Sequence, residues 1–191
     1  MVRSLAATTF TGEGERSLLD ECVRGDVDAW RALHAQYAPL AALFLRRLGV
    51  SDADLEDATQ EVFLQLFRYL SRFRREAELS TWLYRLCISQ AGRVRRRVRL
   101  GKLLSGALGV RSAEAFVSTP GLPEEIARRR IEAALAVLSP AERSVFVLYE
   151  MQGVSGKDIA AIVDCPEATV WRRLHYARER FRAALAASGV G

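Results

Sequence analysis

Cysteine is scarce in this chain, with Cys22, Cys87 and Cys165 the only three in 191 residues. An odd number at wide spacing sets up no disulfide framework. Each lies among apolar or helix-forming neighbours, as buried free thiols in a reducing compartment do. Histidine is scarcer still, limited to His34 and His175, and no Cys/His spacing has the form of a zinc site; neither metal nor cofactor is expected. A glycine-rich phosphate loop is missing, as is a nucleophile with a base beside it, which argues against an enzyme. No apolar run has the length of a membrane span, and Ser4 to Phe10 is too short and too rich in threonine for a secretion signal. A soluble, cytoplasmic protein without membrane insertion is expected. Strand signals are almost wanting as well.

What is present is helical. Half the residues are hydrophobic and 27% are charged, with a formal net charge of +5. That balance is enough for a buried core and leans toward a polyanionic partner. Apolar residues recur at three and four. Residues 1–16, with Thr8, Thr9, Thr11, Gly12 and Gly14, read as a loose tail. A helical block runs over 17–100. Residues 101–122, with Gly101, Gly106, Gly109, Pro120 and Gly121, read as a flexible linker, and a second helical block covers 123–187. The fold class is therefore all-α: two small helical domains on a flexible linker.

In the first block, Asp28 is expected to cap a helix carrying Trp30, Leu33, Tyr37, Leu40 and Leu43, closed by Gly49. Ser51 with Asp54 has the capping-box pattern. The helix it opens, DLEDATQEVFLQLFRYL, sets Leu55, Val62, Leu66 and Tyr69 on one face. Asp57, Glu61 and Arg68 share another, bordered by Gln60 and Gln65. A further helix begins after Ser80 and ends in Arg93, Arg95, Arg96, Arg97 and Arg99. Ahead of that cluster, Phe67, Phe73, Trp82 and Tyr84 interleave with Arg68, Arg72, Arg74, Arg75 and Arg85, a mixture suited to stacking unpaired bases and holding phosphates.

In the second block, Ser139-Pro140-Ala141-Glu142 is a complete helix start. The helix it opens, SVFVLYEMQG, stops at Gly153. Ser155 and Asp158 open the short DIAAIV helix, Asp164-Cys165-Pro166 makes a turn, and EATVWRRLHYARERFRAAL follows. This is the form of a helix-turn-helix, whose second helix enters the major groove by its N-terminal end. Ala160 and Ala161 are small enough for close packing. Val170, Leu174, Ala177 and Phe181 are spaced to face the core. Trp171, His175, Arg178 and Arg182 then fall on the opposite stripe beside Arg172 and Arg173, where arginine reads guanine. A solvated basic face on an ordinary bundle would leave an exposed Trp171 without a purpose.

These motifs, in this order over Leu18 to Ala186, resemble extracytoplasmic-function (ECF) sigma factors. DLEDATQEVFLQLF resembles the family's core-polymerase-binding helix, with Asp57, Gln60, Glu61 and Phe63 at its pattern positions. FRREAELSTWLYRL resembles the loop and helix that open the −10 element. Phe73, Ser80, Thr81, Trp82 and Tyr84 match there, followed by Arg85, Ser89, Arg93 and Arg96. The stretch from Leu138 to Phe181 resembles the −35 recognition region, implying DNA contacts by Thr169, Trp171, Arg172, Arg173, His175 and Arg178. Three positions depart from the pattern: Ser89 where Asn is usual, Trp171-Arg172 where Arg-Ser is frequent, and Ala168 where Gly is frequent.

The resemblance implies a bacterial subunit of RNA polymerase that docks on the β′ clamp helices and the β flap and directs initiation at promoter DNA. It also brings an anti-sigma factor into view as a partner, which the sequence itself does not specify. The alternative is a helix-turn-helix regulator acting without polymerase. It would need a dimer interface and symmetric half-sites, and the acid and amide face of the 54–70 helix favours polymerase.

Overall fold

A computed structural model describes residues 13–72, 78–107 and 123–188, and every regular element among them is helical. The first unit comprises α1 (Glu13–Val23), α2 (Val27–Arg47), α3 (Asp52–Tyr69), a 3-10 turn (Leu70–Arg72) and α4 (Leu79–Ala107). The second comprises α5 (Pro123–Ala136), α6 (Pro140–Phe146) with a π-helical turn (Val147–Met151), α7 (Gly156–Val163) and α8 (Glu167–Ala187).

Local chemistry sets most boundaries. Gly25, at φ +87°, turns the chain after α1. The cap of α2 is Asp26, not the expected Asp28: its carboxylate accepts from the N–H groups of Asp28 and Ala29 at 2.8 and 3.0 Å. Asp28 lies in the first turn, where an acid suits the helix dipole, and pairs with Arg31. Gly49, at φ +91°, ends α2 as expected. Ser51 precedes α3, but its hydroxyl donates to Asp54 at 2.6 Å and accepts no backbone N–H, so that capping box is not closed. The box at Ser139 is complete. Its N–H donates to Glu142 at 2.9 Å, and Glu142 N–H donates back to Ser139 Oγ.

Two expected boundaries shift. The tail assigned to 1–16 gives way to α1 at Glu13. Glu15 lies in its first turn, favourable for the dipole, and accepts the N–H of Leu79 at 3.3 Å. The linker assigned from Gly101 yields to α4, which continues to Ala107. Gly101 and Gly106 in that stretch each cost about 1 kcal/mol in a helix, and the good helix formers before and between them offset that.

The first unit is closed by Leu33, Phe44 and Leu45 of α2, Val62 and Leu66 of α3, and Leu79, Leu83 and Cys87 of α4, all buried. Tyr69, expected among the inward positions, is 45% exposed at the end of α3. The second unit is closed by Val145, Val147, Leu148, Ile159, Val170, Leu174 and Ala177. The two cores form one continuous apolar cluster, because α4 packs against α7. The Tyr84 hydroxyl donates to Gln152 at 3.0 Å, and Arg85 donates to the carbonyl of Ala161. From α6, Arg143 donates to the Leu135 carbonyl at 2.7 Å and lays its guanidinium over Gly49, where a Cβ would collide with Nη1. The two domains expected on a flexible linker are here packed together.

Candidate polymerase and nucleic-acid interfaces

Three surfaces gather the residues singled out by sequence. On α3, Asp57, Gln60 and Glu61 are exposed on one face. Phe63 is not: it is 8% exposed, with its ring 4.6 Å from His34. It therefore supports the helix and presents nothing to a partner. Gln65 is likewise buried and donates to the Glu61 carbonyl. Two apolar side chains complete the outer face, Leu64 at 41% and Phe67 at 61% exposure. Phe67 is seated on Trp30 with centroids 4.9 Å apart. Leu64 was not anticipated, although its place three residues after Glu61 and four after Gln60 puts it on that face.

The second surface lies along α4. Phe73 falls outside the described residues. At the start of the helix Ser80 donates to Glu78, and Thr81 and Trp82 are half-buried. Tyr84 is buried: its ring lies 4.7 Å from Phe44, and burial, the main cause, pushes its hydroxyl up to about 12. Arg85, Ser89, Arg93 and Arg96 succeed one another at spacings of four, four and three and are all exposed. They form a straight stripe. Arg93 and Arg96 have no acidic partner among the described residues. Arg97 is paired with Asp54 and therefore differs from its neighbours. The packed second unit engages both Tyr84 and Arg85 by hydrogen bonds.

The third surface is the helix-turn-helix. Ser155 caps α7, accepting the N–H of Asp158 at 3.2 Å. Asp164 turns the chain at φ +50°, in the left-handed region that Asp tolerates. Pro166 then precedes α8. Val170, Leu174 and Ala177 face the core as expected.

The cations of α8 divide into two sets. Arg172 and His175 are exposed, with His175 3.6 Å from Glu179. Tyr176, not anticipated, is 50% exposed beside His175. Arg173 is half-buried against Cys165 of the turn, and Thr169 is half-buried at the start of the helix. On the opposite flank Arg178 is held by Glu150 at 2.6 Å and lies over the ring of Tyr149. Trp171 is 43% exposed but makes an edge contact with Tyr149 and donates its Nε1–H to Glu167 at 3.1 Å. The expected helix through Gly153 thus differs by its π turn. The wider winding sets Tyr149 and Glu150 against α8.

The chain matches the family model described as sigma-70 region 2 over residues 33–100 and the one described as sigma-70, region 4 over residues 128–181. Among curated relatives, the ECF RNA polymerase sigma-E factor of Escherichia coli (strain K12) is 31% identical over 176 residues, 86% of this chain and 91% of the relative. The RNA polymerase sigma-H factor of Pseudomonas aeruginosa is 29% identical over 185 residues, 92% of this chain and 96% of the relative. Of solved structures, CnrH in complex with the cytosolic domain of CnrY shares the fold at a TM-score of 0.69 and 21% identity, covering 92% of this chain and 99% of that one. The sigma factor RpoE in complex with the anti-sigma factor NepR, from Bartonella quintana, shares it at 0.68 and 23%, covering 84% and 98%.

Proposed function

The chain belongs to the sigma-70 family, in its ECF branch, and from that premise we propose how its surfaces divide the work of promoter recognition. It binds core RNA polymerase and directs transcription initiation from promoters; RNA synthesis itself belongs to polymerase. Its place of action is the bacterial cytoplasm, where polymerase and DNA meet. No helix among the described residues is long and apolar enough to cross a membrane.

Asp57, Gln60 and Glu61 dock on the clamp helices of the β′ subunit, and Phe63 holds their helix in place from beneath. The second unit rests on the β flap. The −10 element is engaged by the Phe73 to Thr81 segment with Trp82, and by the stripe Arg85, Ser89, Arg93 and Arg96. Extruding a base costs a few kcal/mol, and a pocket that rewards one base converts that cost into selectivity. The −35 element is read by α8 through Thr169, Arg172, Arg173 and His175, with Trp171 and Arg178 on the clamped flank.

The observation that carries this reading is the pairing in one chain of an exposed acid and amide face on α3 with the exposed Arg172 and His175 on α8. The packed arrangement adds a constraint. Elements ~25 base pairs apart are separated by about 85 Å of duplex, whereas a compact chain of this length is about 40 Å across. The units must separate on polymerase before both elements are engaged. An anti-sigma factor that keeps them together would hold the chain off the promoter.

Run-off transcription with core polymerase over a pooled promoter library tests the whole. Defined start sites that depend on this chain are expected. The absence of any initiation would refute the reading, and tight specific binding by a polymerase-free dimer would favour the regulator alternative.

A further inference from the structure

The geometry points to Trp171 as a positioning residue that sets how α8 enters the −35 groove, with Gly156 as its seat, and not as a reader of bases; this rests on the reading of α8 as the −35 helix. Three contacts from different parts of the unit hold the indole. Its six-membered ring lies over Gly156, the first residue of α7: a Cβ there would stand 2.9 Å from Cη2, 3.0 Å from Cε2 and closer still to Cζ2. Gly156 is accordingly buried, although Ser155 before it and Lys157 after it are exposed. From the π turn, Tyr149 meets the ring edge-on at 5.4 Å. From one turn back on α8, Glu167 takes the Nε1–H at 3.1 Å.

Each contact removes a way of reading sequence. The indole has one hydrogen-bond donor, and Glu167 occupies it. A ring fixed on two sides does not swing to follow a base edge. What the contacts do instead is join the start of α7, the start of α8 and the end of α6. In a helix-turn-helix those elements decide the angle at which the second helix lies in the groove. Gly156 is needed here for the space it leaves, since no positive φ is involved. Arg178 extends the clamp by lying over the Tyr149 ring and pairing with Glu150. Sequence readout is left to the unclamped residues, Arg172 and His175 foremost.

The test uses holoenzyme reconstituted from the full chain and core polymerase, transcribing a pool randomised across the −35 element. Trp171→Ala is expected to lower output by about ten-fold, the scale of one mis-set base contact, across all sequences and without reordering their ranks. Trp171→Phe is expected to recover part of that output. Gly156→Ala, which keeps the tryptophan and takes its seat, should reproduce the loss. The double variant should be no worse than either single one, because both break the same contact. Arg172→Ala should instead flatten preference at particular base positions. Melting temperature and core binding gate each variant, and the Phe and Gly156 variants carry the test should Trp171→Ala not fold. A change of base preference at one position in Trp171→Ala would make it a reader and overturn the proposal, as would undiminished output. A wild-type holoenzyme indifferent to −35 sequence would sink the reading of α8 itself, and the proposal with it.

Discussion

Tyr84 of α4 donates its hydroxyl hydrogen to Gln152, 3.0 Å away just after the π turn, and so joins the first unit to the second. One residue on, Arg85 donates to the Ala161 carbonyl in α7. The packed state is therefore held in part by side chains that the family resemblance assigns to DNA. Removing the Tyr84 hydroxyl as Phe leaves the ring on Phe44 and deletes one hydrogen bond, worth ~1 kcal/mol. The population of packed molecules should fall about five-fold relative to open ones. Energy transfer between dyes at the exposed positions Glu56 and Glu179 reports this in the free protein. An unchanged distribution for Tyr84→Phe combined with Arg85→Ala would show that these bonds do not hold the units together.

Gly25 and Gly49 share a left-handed backbone, at φ +87° and +91°, but their surroundings differ. Around Gly25 nothing stands within 4 Å of where a Cβ would be, whereas at Gly49 the Arg143 guanidinium occupies that place. Gly25→Ala should cost about 1–2 kcal/mol, the penalty of a left-handed alanine. Gly49→Ala should cost that and displace Arg143 from its place between the units. Arg143 is already strained electrostatically: burial, and after it the nearby charge of Arg95, lowers its pKa. Urea denaturation separates the cases, and equal losses at the two glycines would mean that Arg143 adapts freely.

Glu142 should give the protein part of its acid sensitivity. Burial pushes its carboxyl upward. The Ser139 hydrogen bonds and the Arg180 charge outweigh burial and leave it below the ordinary range. A carboxylate with a depressed folded pKa contributes stability that is full above its unfolded value, about 4.3, and is lost as pH falls through the folded value. Glu142→Gln should thus lower stability at pH 7 by ~1 kcal/mol and flatten the acid side of the stability profile. A parallel downward shift at every pH, without flattening, would show that the charge contributes nothing.

The parts of this molecule that were legible in the sequence are those settled within a few residues. The Ser139 to Glu142 box closes within one helical turn, and the inward positions Val170, Leu174 and Ala177 follow from a single period. Even at that range competition matters: Asp26 and Asp28 are both good caps, and the turn at Gly25 decides for Asp26. Trp171 is exposed, as its stripe position implies, but its seat, Gly156, lies across a turn where no periodicity reaches. The hydrogen bonds of Tyr84 to Gln152 and of Arg85 to the Ala161 carbonyl lie beyond any local pattern because their acceptors belong to the other unit. On α3, Phe63 fits the pattern of a binding helix, yet it lies buried against His34 while Leu64 takes the outer position.

The three thiols should separate by reactivity. Thiolate is the attacking form, and burial, ahead of the acids Glu21 and Asp26, pushes the Cys22 thiol up to about 11. Cys87, on α4, is fully enclosed in the first core, and burial alone drives its pKa upward. Cys165 is half-buried in the turn before α8, with Arg173 Nη1 3.5 Å from its sulfur. With a chromogenic disulfide at pH 8, one thiol per chain should react in the native protein and the other two only on unfolding. Cys165→Ser should abolish the fast phase and leave the slow ones. Because the fast site lies against the helix assigned to −35 DNA, promoter-bound holoenzyme should protect it. Two or three thiols reacting quickly in the native chain would mean that the first unit opens far more readily than its buried core implies.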